Sequence, residues 1–183
     1  MANKIKYGLR SVYYAKATPT TTGSLSYATP VAIPGAVNLS LSQEGDRNIF
    51  YADDVEYYVS QNNSGYSGTL EVALLPESFK TDILKEELQN GVYVEHSDDV
   101  PAEFALLFEF QGDESATRHA LFRCICSRPD VNGATKEASI EPQTETLDIT
   151  ALPRANDFVV KARAPYTTSG AYTTWFTSVF SAT

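Results

Sequence analysis

Apolar and polar residues alternate along much of the chain, in the pattern of half-buried β-strands. Every second residue is apolar between residues 37 and 42, and again between residues 147 and 151. The run from Phe104 to Phe110 is apolar almost throughout, which predicts a strand buried on both faces. Turn residues such as those from Gly112 to Ser115 separate the runs. The pattern predicts about eight to ten strands.

One segment has helical periodicity instead. Pro76 follows a strand, Ser78 is a residue type that caps helices, and Gly91 ends the segment. Four apolar residues recur between them at helical spacing: Phe79, Ile83, Leu84 and Leu88. The predicted fold is therefore mainly β, an antiparallel two-sheet β-sandwich with one flanking α-helix, in a single domain over residues 1–183.

A protruding hairpin is predicted at about residues 36–54. Ala36 to Gln43 forms its first strand, Glu44-Gly45-Asp46 its polar tip, and Asn48 to Tyr51 its return strand. An N-terminal arm and a C-terminal tail at about residues 164–183 flank the domain, and the tail ends in a short helix or a docked segment.

The chain is acidic, with a net charge of -9 and an isoelectric point near 4.7. Phosphate backbones repel such a chain, so non-specific binding to nucleic acid is not expected. The longest apolar runs, such as Val72 to Leu75, are too short to span a bilayer. The residues after the basic N-terminus lack the apolar stretch of a signal peptide. No membrane partner is expected.

Reactive side chains do not form the convergent set that an enzyme needs. His96 lies in a polar loop sequence and His119 begins a strand, so a structural role is favoured for both. The adjacent pairs Asp53-Asp54 and Asp98-Asp99 point apart and do not form a catalytic dyad. The sequence therefore predicts a protein that is not an enzyme and uses no cofactor.

Metal sites fail similar tests. Glu44, Asp46 and Asn48 alternate as in a calcium loop, but neither the turn glycine nor a closing bidentate glutamate follows. Cys124 and Cys126 lack the second ligand pair of a zinc site. We expect them to be small buried residues in a reducing compartment.

Several stretches, taken in order, resemble the major tail protein of long, non-contractile-tailed bacteriophages of Gram-positive bacteria. They read VAIPGAVNLSLSQEGDRNIFYADD, NNSGYSGTLEVALLPESF, FALLFEF, ATRHALF and SIEPQTETLDITALPR. The resemblance runs from Met1 to about Arg163 and fades over residues 164–183, where the Trp175-Phe176 pair is its last part. The ordered set carries the resemblance, and no single motif in it is specific.

The resemblance implies a tail-tube fold and a structural role. Members of this family form hexameric rings that stack into the tail tube of the virion, after synthesis in the host bacterial cytoplasm. The partners implied are the chain itself, a tape-measure protein, the tail terminator and distal tail proteins. DNA would pass through the lumen during ejection without specific binding, which suits an acidic wall.

Two sets of residues are expected to serve this role. Contacts between subunits or rings are assigned to the protruding hairpin: Glu44, Asp46, Arg47, Phe50 and Tyr51. Acids carried by strands are candidates for the lumen wall: Glu56, Glu71, Glu109, Glu145 and Asp148. An alternative from a different class stays open, a non-enzymatic β-sandwich binding module such as an adhesin or carbohydrate-binding domain, with tyrosines lining a sugar platform.

Overall fold

The computed structural model describes residues 3–21, 23–135, 142–166 and 169–181. Its strands are β1 (Lys6–Pro19), β2 (Leu25–Tyr27), β3 (Val31–Ala32), β4 (Ala36–Glu44), β5 (Arg47–Ala52), β6 (Val55–Gln61), β7 (Gly65–Val72), β8 (Glu87–Gln89), β9 (Val92–Val94), β10 (Phe104–Gly112), β11 (Thr117–Cys126), β12 (Glu145–Ala151) and β13 (Lys161–Ala164). Its helical elements are α1 (Glu77–Phe79), a π-helical turn (Lys80–Leu84) and α2 (Ser169–Thr173).

Nine strands form one large antiparallel sheet with the order β2-β1-β10-β11-β12-β7-β4, and β3 and β13 pair with β1 and β11. The sheet divides at β11, whose first half pairs with β13 and whose second half pairs with β12. β12, β7 and β4 thus form a second layer that is continuous with the first. The predicted mainly-β antiparallel sandwich is confirmed.

The core lies between these two layers. Phe104 and Leu106 of β10 meet Leu70 of β7 and Leu147 of β12, all of which are fully buried. The predicted double burial of β10 is also confirmed, because the intervening Leu107 lies in a second buried cluster on the opposite face. Both faces of the central strands are therefore covered.

The C-terminal segment covers that second face. Trp175 is buried, and its indole N–H donates to the carbonyl of His119 at 3.2 Å. Phe176 stacks on Tyr13 of β1 with ring centroids 4.8 Å apart. This part of the predicted tail includes the short helix α2 and is docked on the sheet. At the other end, Asn3 and Lys4 bind the β10–β11 turn through hydrogen bonds.

The predicted long helix is wrong in its extent. Helical structure ends at Lys85, whose φ of 72° is left-handed, so Leu88 lies in strand β8 and is exposed. Ser78 lies inside α1, and the residue at its N-cap is Pro76, which makes no side-chain capping bond. Gly91 belongs to the turn of the β8–β9 hairpin. The core contacts of Phe79, Ile83 and Leu84 agree with the sequence pattern.

The predicted hairpin at residues 36–54 is also wrong in its pairing. β4 pairs with β7 in the large sheet, whereas β5 pairs with β6 in a separate two-stranded sheet. Glu44-Gly45-Asp46 does not form a tip. It joins β4 to β5 and is hydrogen-bonded to the matching junction at Asn62-Asn63-Ser64. The chain therefore forms one long hairpin whose turn is Asp53-Asp54, and both of these residues have positive φ.

Candidate assembly surface

The outer half of the long hairpin, here called the arm, consists of β5, β6 and their turn. Main-chain and side-chain hydrogen bonds between Asp46 and Asn62 close its base. The two-residue turn with positive φ at Asp53 and Asp54 has the conformation that joins adjacent antiparallel strands with little splay. The arm thus has a defined hairpin structure of its own.

Large apolar side chains cover both faces of the arm and are exposed. Phe50 is 62% exposed and lies opposite Tyr58, which is 63% exposed. Tyr51 and Tyr57 are exposed to a similar degree, and Val59 pairs with Ile49 on the face opposite to Phe50. An isolated two-stranded hairpin is marginally stable in water. Contiguous exposed apolar surface of this kind marks a site of interaction with another macromolecule.

The structure distributes the predicted contact residues over two regions. Phe50 and Tyr51 lie on the arm, and Arg47 forms an ion pair there with Glu56 at 3.0 Å. Asp46 lies at the base of the arm. Glu44 is outside it, in β4, where its carboxylate accepts a hydrogen bond from Ser67.

The outward face of β12, β7 and β4, here called the polar face, bears a regular grid of small polar and acidic side chains. Its three rows follow from the strand register: Asn38, Glu71 and Thr146; Ser40, Thr69 and Asp148; Ser42, Ser67 and Thr150. None of these residues is basic. Among the described strands β4 pairs only with β7, so the polar face ends at an unpaired strand edge.

Two of the five predicted lumen acids, Glu71 and Asp148, lie on the polar face. Glu56 lies on the arm. Glu145 lies at the start of β12, where its carboxylate accepts the backbone N–H of Leu75 at 2.6 Å. The five acids thus do not share one surface.

Glu109 differs most from the prediction, because it is only 3% exposed. Its two carboxylate oxygens accept hydrogen bonds from Arg10 at 2.7 Å and from Arg118 at 2.8 Å. The Arg118 guanidinium also lies over the rings of Tyr172 and Phe176. Glu109 therefore holds in place the arginine on which the C-terminal segment packs. In the single chain its carboxylate is buried and does not lie on a surface that could line a lumen.

A cavity of about 220 Å³ opens between the two layers of the sandwich. This aromatic cavity is lined by Lys6, Leu39, Leu41, Tyr66, Phe108, Phe110, His119, Leu121 and Lys161. His119 stacks on Phe108 with centroids 5.2 Å apart and meets the edge of Phe110. The sequence pattern does not indicate this cavity, because its walls come from six strands that meet only in the fold.

His119 should make folding stability depend on pH. Burial, with help from the nearby positive charges of Lys161, Arg163 and Lys6, lowers the pKa of His119 to about 4. The unfolded chain takes up this proton near pH 6.5, its ordinary value. Stability contributed by neutral His119 is therefore complete above that pH and is lost as pH falls toward 4.

We expect His119→Phe to lose less thermal stability than the parent chain between pH 7 and pH 4.5. Phenylalanine keeps the ring stacking and does not titrate. Thermal unfolding followed by circular dichroism at several pH values measures the difference between the two proteins, so that the carboxylates common to both cancel. If the unfolding temperatures of the two proteins change with pH in parallel, the pKa of His119 is not lowered in the folded protein.

The thiols are buried, as predicted. Cys124 and Cys126 are free cysteines, and burial raises the pKa of Cys126 to about 12. No group of three or more His, Cys, Asp or Glu residues in the described ranges is arranged to hold a metal ion. No helix among the described residues is long and apolar enough to cross a membrane.

No protein-family model and no curated protein matches this chain.

Proposed function

We propose that this chain is the structural subunit of a bacteriophage tail tube. It would assemble into hexameric rings that stack around a tape-measure protein, meet the terminator and distal tail proteins at the tube ends, and form the conduit for DNA ejection in the virion. The observation that carries the proposal is the long hairpin: its inner half helps to build the polar face, and its outer half is the exposed apolar arm.

The long hairpin and the sheet that it joins suit three requirements of a tube. A conduit for DNA needs a wall that does not bind phosphates. The polar face meets this requirement because it bears hydroxyl, amide and carboxylate groups. A ring needs subunits that cover one another's strand edges, and the outer edge of β4 borders this face. Stacking needs a projecting contact, for which the arm offers Phe50, Tyr57 and Tyr58.

Electron microscopy of the concentrated protein, with and without its tape-measure protein, tests the proposal. We expect rings or tubes of uniform diameter. A monomer in dilute solution is compatible with this role, because premature polymerisation must be avoided. A chain that stays monomeric under every assembly condition, and whose loss leaves the tail intact, would contradict the proposal.

The second candidate is a non-enzymatic binding module that recognises carbohydrate or protein. The exposed tyrosines of the arm, Tyr51, Tyr57 and Tyr58, are of the kind that stack on sugar rings. A specific signal on a glycan array from a protein that does not self-assemble would favour this function over the tube.

A further inference from the structure

The aromatic cavity combines apolar walls with positive charge at two positions. The Lys6 ammonium lies 4.4 Å from the centroid of the Phe110 ring, and the Lys161 ammonium lies 4.5 Å from that of Tyr66. Both lysines are exposed. No carboxylate of the described residues lines the cavity. In a chain with a net charge of -9, this is a place where an acidic group is attracted to the surface.

The tip of the arm has the complementary composition. Asp53 and Asp54 are exposed and adjacent at the turn. Val55 follows them directly, and Phe50 lies three residues before Asp53, about 10 Å along the strand at 3.3 Å per residue. The tip therefore presents two carboxylates with exposed apolar side chains immediately behind them.

The size of the cavity fits such an insert. A cavity of about 150 Å³ with apolar walls accommodates a benzene molecule. The aromatic cavity, at about 220 Å³, has room for one aromatic or branched aliphatic side chain.

The arm of the same molecule does not reach this cavity. Tyr66, Leu39 and Leu41 place the cavity beside the base of the arm. The paired strands β5 and β6 hold the tip about 20 Å beyond that base, at 3.3 Å per residue. An occupant from a second molecule meets no such restriction.

We propose that the aromatic cavity receives the arm tip of a second copy of this chain, with Asp53 and Asp54 against Lys6 and Lys161 and an apolar side chain of the tip inside. This inference rests on the proposed function and adds to it the residues that select the partner. The charges set orientation and register, while the apolar insert contributes most of the affinity.

Paired substitutions test this contact. Asp53→Asn with Asp54→Asn keeps the turn, because asparagine readily adopts positive φ, and removes both charges. Lys6→Gln with Lys161→Gln removes the opposite charges. We expect each pair to raise the protein concentration needed for assembly about tenfold, measured by sedimentation and electron microscopy. Lys16→Gln with Lys85→Gln is the matched control, since Lys16 lies at the other end of β1, and should assemble like the parent.

A charge reversal supplies the decisive comparison. Lys6→Glu with Lys161→Glu should abolish assembly by repelling the tip, and adding Asp53→Asn with Asp54→Asn should restore it in part, as coupled sites require. Carbodiimide cross-linking of the parent protein, mixed from labelled and unlabelled chains, should join the peptide of Asp53 and Asp54 to that of Lys6 or Lys161 between molecules. Cross-linking uses the parent protein alone, so it tests the contact between the tip and the lysines even where a variant misfolds.

The outcomes separate this inference from the proposed function. A parent protein that never assembles and never cross-links between molecules overturns both. Assembly that is unaffected by the lysine pair, a control pair that fails equally, or a reversal that the asparagine pair does not relieve overturns the docking of the tip alone. In these cases the tube subunit stands and the arm binds elsewhere.

Discussion

Replacing residues 47–61 by Asn-Gly should abolish assembly and leave the sandwich folded. Asp46 and Asn62 are hydrogen-bonded across the base of the arm, so a two-residue turn can close the hairpin there. The deleted residues form a separate sheet, and the buried residues of the main core all lie outside them. Removal of exposed apolar surface therefore costs the domain little, while a ring loses its projecting contact.

Two measurements check this expectation on the same protein. The unfolding temperature should stay within a few degrees of the parent, where about 1 kcal/mol corresponds to 2–4 °C. Tubes should be absent by electron microscopy at concentrations where the parent forms them. Leu88→Ser with Val92→Ser is the control, because it removes exposed apolar residues from another hairpin, β8–β9, and should leave assembly intact. If the deletion unfolds the domain, the arm is part of the core. If the shortened protein still assembles, the arm does not contribute to the interface.

The position of the arm shows what the sequence pattern could and could not predict. A deletion of Ser42 to Tyr51, designed on the predicted hairpin, would have removed part of β4 and only one strand of the arm. Glu44-Gly45-Asp46 contains the residue types of a tip, but Asp53-Asp54 forms the turn. The useful pattern was the two-residue acidic turn between two β-rich runs. The polar residues at both junctions of the long hairpin are also turn formers, so the pattern does not single out Asp53-Asp54 as the turn.

Local alternation predicted the layers well, because burial on one face imposes a period of two on the side chains. The inward Leu39 and Leu147 and the outward Ser40 and Asp148 are where the pattern puts them. The helix was predicted too long, since Leu88 has helical spacing from Leu84 and the left-handed residue between them, Lys85, is not glycine. The aromatic cavity and the burial of Glu109 depend on contacts between distant segments, which periodicity does not report.

Glu109→Gln should be among the most destabilising changes at a charged residue, even though Glu109 was expected only as a candidate for the lumen wall. The substitution keeps the size of the side chain but offers one oxygen to two guanidinium groups, so the amide must turn a donor toward Arg10 or Arg118. Arg118 is then left without its counter-charge beneath the C-terminal segment, with its side chain 20% exposed. Breaking a buried ion pair costs about 3–5 kcal/mol. At 2–4 °C per kcal/mol, we expect the unfolding temperature to fall by roughly 6–20 °C.

Glu56→Gln is the matched control for this loss. Glu56 was assigned to the same set of acids and is also paired with an arginine, but both side chains of the Arg47–Glu56 pair are about half exposed. Exposed pairs contribute at most about 1 kcal/mol, so this variant should unfold within a few degrees of the parent. Trp175 fluorescence provides a second measurement, because its indole packs beside the Arg118 contacts, and should report earlier release of the C-terminal segment in Glu109→Gln alone. Equal losses in the two variants would mean that Glu109 is solvated like Glu56, and the acid would then return to the candidates for a lumen wall.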